Sequence, residues 1–158
     1  MSEATARSSM ARLCAQREYC AGDVREKLRR MGLTNEAEER VVRQLTAAGF
    51  VDERRYTHCF IRDKLTLNGW GRRKIELYLR QKNIPEEVIR EAFADLPEAD
   101  FTDALRSLLE KKRKRVTGAS AYEKNGKLIR YALARGFSMD EIRECLNNMA
   151  IDEFPEEA

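Results

Sequence analysis

The sequence predicts an all-α protein of about nine helices, arranged as three tandem three-helix repeats. Three observations predict it. Good helix formers (Ala, Leu, Arg, Glu and Lys) dominate, and only three prolines and eight glycines interrupt the 158 residues. Apolar residues recur three and four apart, the spacing that lines one helix face. A helix–corner–helix pattern then occurs three times along the chain.

The three corners run from Val24 to Thr34, from Ile75 to Pro85 and from Leu128 to Ser138. In each, apolar residues four apart lead into Gly32, Asn83 or Gly136, followed by Leu33, Ile84 or Phe137. Gly and Asn tolerate the left-handed conformation that closes a helix, and the apolar residue behind them can fold back on the last turn. Thr34 and Ser138 then suit a helix cap, and Pro85 suits a first turn. The helices that follow are periodic too: Val41 and Leu45 match Ile89 and Phe93, and these match Ile142 and Leu146. The first copy needs about three extra residues to align, a longer loop or third helix within the same repeat scheme. Ser138 to Glu141 has the spacing of a capping box, and Asn35 to Glu38 is expected to serve the first copy in the same way.

A leading helix precedes each hairpin. The first is expected from Arg7 to Arg17, with Met10, Leu13 and Cys14 on one face. Asp52 starts the second, with Tyr56, Phe60, Ile61, Leu65 and Leu67 facing inward. Asp100 or Thr102 starts the third, whose stripe is Phe101, Leu105, Leu108 and Leu109. The boundaries expected are repeats over 1–50, 51–97 and 98–150, then an acidic tail over 151–158. Units this small bury a poor core alone, so they are expected to dock as right-angled helical hairpins into an elongated, curved body. Such a body offers an extended binding face.

Charge narrows the function. Thirty basic and 27 acidic side chains leave a net charge of +3, too small an excess to mark a nucleic-acid binder by itself. The bases are clustered, however, at Arg29-Arg30, Arg54-Arg55, Arg72 to Lys74 and Lys111 to Arg115. Cys14, Cys20, Cys59 and Cys145 show no Cys-x-x-Cys pair, and His58 is the single histidine. Structural zinc needs paired ligands, so no metal is expected, and the cysteines read as small helix-face residues. With no secretory segment and no apolar run near ~18 residues, a reduced, cytoplasmic protein without a membrane partner is expected. No Gly-rich phosphate loop, serine elbow or His–nucleophile pair is present, so the chain reads as a non-enzyme without a cofactor.

From Phe50 the chain reads Phe-Val-Asp52-Glu53-Arg-Arg55-Tyr56-Thr-His-Cys-Phe60-Ile-Arg62-Asp-Lys64, then Gly69-Trp70-Gly71-Arg72-Arg73-Lys74-Ile75 and Leu79. This resembles the signature of the RecX family: an acidic pair, a spaced Arg-aromatic, an aromatic, a basic residue, and a Gly leading into a basic-Ile helix. The likeness runs through the first two repeats and continues more loosely into the third. Thr57 stands where the family usually has Ala, and Cys20 stands where a Ser-type cap would open the second helix, so that cap is expected to be weak or displaced to Asp23. The resemblance implies a regulator of DNA repair and recombination that binds the RecA nucleoprotein filament. It would suppress ATP hydrolysis and strand exchange, or destabilise the filament. The chain is expected to be a monomer, and its basic clusters would make single- or double-stranded DNA a further partner through its phosphates. The rival reading is an independent DNA-binding helical module.

Asp52 reads first as a helix N-cap, with direct partner contact as the alternative, and Glu53 reads similarly. Tyr56 and Phe60, four apart, read as core. Arg55, Arg62, Lys64, Arg72, Arg73 and Lys74 are either a binding cluster or a solvated face. Gly69 and Gly71 would keep their loop tight enough to approach a partner, and Trp70 between them is an exposed anchor or a lid on the hairpin. Lys111, Lys112, Arg113, Lys114 and Arg115 exceed what a helix C-terminus needs, and would meet phosphate, an acidic protein surface or solvent.

Overall fold

The computed structural model describes the backbone of residues 1–153 and the side chains of residues 1–149. Among the described residues there are nine α-helices and no strand: α1 (Glu3–Gln16), α2 (Ala21–Arg30), α3 (Asn35–Ala47), α4 (Glu53–Thr66), α5 (Arg72–Gln81), α6 (Glu86–Ala94), α7 (Glu98–Arg113), α8 (Ala121–Ala134) and α9 (Met139–Glu153). The rest of the stretch expected as an acidic tail, 154–158, lies outside the described residues. No described helix is long and apolar enough to cross a membrane.

The chain forms two compact units. The first comprises Met1–Phe60 and Leu79–Phe93, and the second Ile61–Tyr78 and the chain from Ala94 onward. In the first, Ala6, Met10 and Cys14 of α1, Val24 and Leu28 of α2, and Val41, Val42 and Leu45 of α3 close one apolar core with Tyr19 and Val51. The second buries Ile61, Leu65, Ile75, Leu105, Leu109, Leu128, Ala132, Phe137 and Ile142. A fully buried Leu or Ile of this kind contributes about 2 kcal/mol by leaving water, so these stripes supply the main driving force.

The three corners share one geometry. Gly32, Asn83 and Gly136 all have positive φ, at 92°, 60° and 98°. Their amides donate to Arg29, Arg80 and Leu133, and the next amides, of Leu33, Ile84 and Phe137, donate to Leu28, Leu79 and Ala132 at 3.1–3.2 Å. This double bond is the Schellman closure, and it brings the trailing apolar residue back onto the helix it ends. Gly49 closes α3 in the same way, with Phe50 donating to Leu45.

Several start and cap assignments differ from the sequence expectation. The first helix begins at Glu3 because the Ser2 hydroxyl accepts from the Thr5 amide and caps it there. The seventh begins at Glu98, directly behind Pro97, with Glu98 and Asp100 in a first turn that favours negative charge. The first-copy cap is Thr34, bonding the Ala37 amide, and Glu38 makes no capping box. Instead Glu38 is buried and receives a bidentate Arg29 at 3.1 and 3.2 Å. Of the two outcomes expected for the α2 cap the weak one holds: Cys20 keeps the cap, its sulfur accepting from the Asp23 amide at 3.4 Å. Leu67 is 80% exposed, because it lies two positions beyond Leu65 and so on the opposite side of the helix end. The Ser138–Glu141 box forms as expected, with both reciprocal bonds present.

Candidate functional site: a basic turn held by a helix corner

The motif residues at the head of α4 bond within the first unit. Asp52 caps α4, its Oδ1 accepting from the Arg55 amide at 3.0 Å. Glu53 turns the other way and accepts from the Ala21 amide, the first of α2, at 2.9 Å. Burial raises the Glu53 carboxyl above its ordinary value, and the Ala21 bond opposes the shift. Arg55 pairs with Glu18 at 2.6 Å and donates to the carbonyls of Gly49 and Phe50, and the Glu18 bond holds its guanidinium charged. Tyr56 is buried and stacks on half-buried Phe60 with ring centroids 5.8 Å apart. Burial also pushes the Cys20 thiol up to about 11, so this cysteine stays protonated. Thr57 is fully buried and returns its hydroxyl to the Glu53 carbonyl at 2.7 Å, which makes the departure from Ala a cheap one.

The turn from Leu67 to Gly71, between α4 and α5, is held by the corner between α8 and α9 in the second unit. The Gly71 amide donates to the Arg135 carbonyl at 2.7 Å, and the Arg73 amide to the Gly136 carbonyl at 3.2 Å. The first turn of α5 is therefore capped by another helix's closing residue rather than by its own side chain. A Cβ on Gly71 would lie 2.5 Å from the Gly136 carbon, and one on Gly136 would lie 2.6 Å from the Lys74 amide nitrogen. Gly71 is buried, so its small size serves an approach within the chain and not to a partner. Gly69 has φ 65°, and a Cβ there would meet Leu108 at 2.9 Å. Arg135 completes the clamp by donating to the Asn68 carbonyl at 2.7 Å and to the Tyr131 hydroxyl at 3.2 Å.

Above this clamp stands a cluster of cations and rings. Trp70 is half-buried against Tyr78, with centroids 4.7 Å apart, so it lies on the hairpin as a lid. Lys64 and Lys74 bring their ammonium groups to 4.9 and 4.5 Å from the Trp70 ring. Such contacts are worth about 0.5–2 kcal/mol and fix the two charges in place. Arg72 pairs with Glu76 at 2.7 Å, while Ile75 and Leu79 of the same helix are fully buried. The Arg73 and Arg62 side chains are exposed, and among the described residues neither has an ion-pair partner.

The second basic run closes α7. Lys112 reaches to 4.7 Å from the Tyr131 ring, and the Arg135 guanidinium lies 5.2 Å from the same ring. Through Tyr131 and Arg135 the run is thus linked to the 67–71 turn. Lys111, Lys114 and Arg115 are exposed without an ion-pair partner among the described residues, whereas Arg113 is half-buried and engaged. The structure so gathers Lys64, Trp70, Arg72, Arg73, Lys74 and the 111–115 run in the second unit, while Arg55 belongs to the first. Sequence reasoning missed Tyr131, Arg135 and Gly136 as parts of this site. Their only signal was the helix-closing Gly136, which says nothing of what docks against it.

Fold and site together define a class: a tandem three-helix-repeat protein with a basic, aromatic-studded surface and no assembled catalytic constellation among the described residues. Two family models match, described as the second three-helix domain of RecX over residues 52–92 and the third over 98–146. The regulatory protein RecX of Chlorobaculum tepidum is 32% identical over 133 residues, covering 84% of this chain and 81% of that one. That of Vibrio vulnificus is 29% identical over 140 residues, covering 87% and 88%. The match to the Clostridium botulinum protein covers 83% of this chain but 62% of the longer relative. In structure, RecX from Lactobacillus salivarius superposes with a TM-score of 0.81 at 18% identity, over 94% of this chain and 97% of that one. The chain belongs to the RecX family of regulatory proteins.

Proposed function

We propose that this protein binds the RecA nucleoprotein filament and restrains its ATPase and strand-exchange activity, with the basic turn of the second unit as the contact. Family membership supplies the partner class. The observation that carries the site is the set of exposed cations at Arg73, Lys111, Lys114 and Arg115 that no described carboxylate neutralises. Several other arginines are paired: Arg25 with Glu39, Arg30 with Glu26, Arg40 with Glu3, Arg54 with Glu91 and Arg80 with Glu86. Unpaired cations in the unit that also carries the Trp70–Tyr78 pair suit an acidic partner surface, since unpaired charge steers encounter and rings supply contact area.

The test is RecA's DNA-dependent ATPase titrated with this protein, together with co-sedimentation on filaments. Hydrolysis should fall as protein is added, and the protein should pellet with the filament. Unchanged hydrolysis at saturation with no co-sedimentation would sink the proposal. Salt separates the DNA-only reading, for which affinity for naked DNA should be high and fall steeply and log-linearly with salt. The non-enzymatic, cytoplasmic, monomeric character of the protein belongs to the same proposal.

A further inference from the structure

The first unit carries a second charged feature that involves none of the residues of the basic turn. Between the end of α1 and the outer face of α2 lies a concave site of about 260 Å³. Its acidic and basic side chains do not cancel. Asp23 is neutralised by Lys82 at 2.6 Å, and Glu26 by Arg30 at 2.6 Å. That leaves Arg17 and Lys27, neither of which has a carboxylate partner among the described residues. Both are drawn to one ring, the Arg17 guanidinium at 4.9 Å and the Lys27 ammonium at 5.5 Å from the centroid of Tyr19.

Tyr19 is 8% exposed and belongs to the apolar core of this unit, so the ring that holds the two cations is itself fixed. Helix C-termini account locally for a cation at each position, since Arg17 follows α1 and Lys27 lies in the last turn of α2. They do not account for two uncompensated charges converging on one buried ring. Like charges held together in this way gain most from a compact dianion with several acceptor oxygens, to which a guanidinium and an ammonium both donate. The site is small, about 260 Å³, which favours a discrete group over a track for a strand.

We propose that Arg17, Lys27 and Tyr19 form a binding site for a phosphoryl anion, either a free phosphate or diphosphate or the phosphate end of a nucleotide. Titration of the full-length, isotopically labelled protein with inorganic pyrophosphate at low salt, followed by amide NMR, tests this. The amides of Arg17, Tyr19, Asp23, Lys27 and Lys82 should shift together and saturate with a Kd of about 1 mM or tighter. The double variant Arg17→Gln, Lys27→Gln should weaken this at least about tenfold, a loss of roughly 1.4 kcal/mol. The variant Lys114→Gln, Arg115→Gln should bind as the unaltered protein does. Parallel titrations with ADP and with an oligothymidylate distinguish the source. Tighter binding of ADP than of pyrophosphate assigns the site to a nucleotide, and equal binding assigns it to the free anion. No saturation by pyrophosphate or ADP, saturation by the oligonucleotide alone, or undiminished affinity in the Arg17/Lys27 variant overturns the proposal.

Discussion

Glu53 hydrogen-bonds the first amide of a helix 32 residues away, which makes it an acceptor across two helices rather than a surface charge. Its carboxyl is held above its ordinary value, chiefly by burial, so ionising it costs the folded state. The linkage has a definite sign. Below the unfolded value near 4.5 the group is neutral in both states and costs nothing; as pH rises toward and through the raised folded value, its contribution to stability falls. Glu53→Gln keeps an acceptor and removes the charge, so it should flatten that decline in urea midpoints between pH 4 and 7. Glu53→Ala should cost about 1–2 kcal/mol at every pH, since it strands the Ala21 amide. Gly71 makes a second case at this scale. Its replacement by Ala drives a Cβ to 2.5 Å from the Gly136 backbone, where no flexible side chain can yield. Gly71→Ala should therefore lose about 2–3 kcal/mol by urea denaturation, an overpacking cost. Gly32→Ala, in open space with φ 92°, should lose only about 1 kcal/mol, the strain of a left-handed residue.

The helices and their corners were the legible part of the sequence. Gly32, Asn83 and Gly136, each trailed by an apolar residue, announced three Schellman closures, and all three form. Local chemistry decides such features, so local sequence reveals them. The cap of α5 shows where legibility stops. Its Arg73 amide is satisfied by a carbonyl from the α8–α9 corner, and nothing near Arg73 in the chain records that bond. The same limit hid Glu53, whose partner Ala21 lies in another helix and which read as a dipole-favoured first-turn residue. Leu67 departs from expectation for a different reason: it lies two positions beyond Leu65, on the opposite side, and past the end of α4 at Thr66. At the element scale, then, α5 depends on the corner that docks against it. Gly71→Ala should loosen Trp70 as well as lower stability. Because Trp70 is the single tryptophan, a red-shifted emission in the variant before global unfolding would report the loosening directly.

For the whole molecule, the division of labour among the motif residues matters most. Asp52, Glu53, Arg55 and Tyr56 cap, bridge and fill within the first unit. Among the basic-cluster residues, the exposed cations with no ion pair among the described residues lie in the second unit, at Arg62, Arg73, Lys111, Lys114 and Arg115. Composition marked both groups alike as basic clusters, because a sequence shows charges but not their partners. Pairing distinguishes them, and the contact proposed above lies at Arg73 and the end of α7 rather than at Arg55. On the proposed function this surface engages the RecA filament while contributing little to the fold. The most direct measurement is filament co-sedimentation and ATPase inhibition by the variant Arg73→Glu, Lys111→Glu, Lys114→Glu, Arg115→Glu, with its melting temperature recorded alongside. The melting temperature should stay within a few degrees of the unaltered protein, and both binding and inhibition should fall by about tenfold or more. A folded variant that still pellets with the filament and inhibits hydrolysis at the same concentration would contradict it.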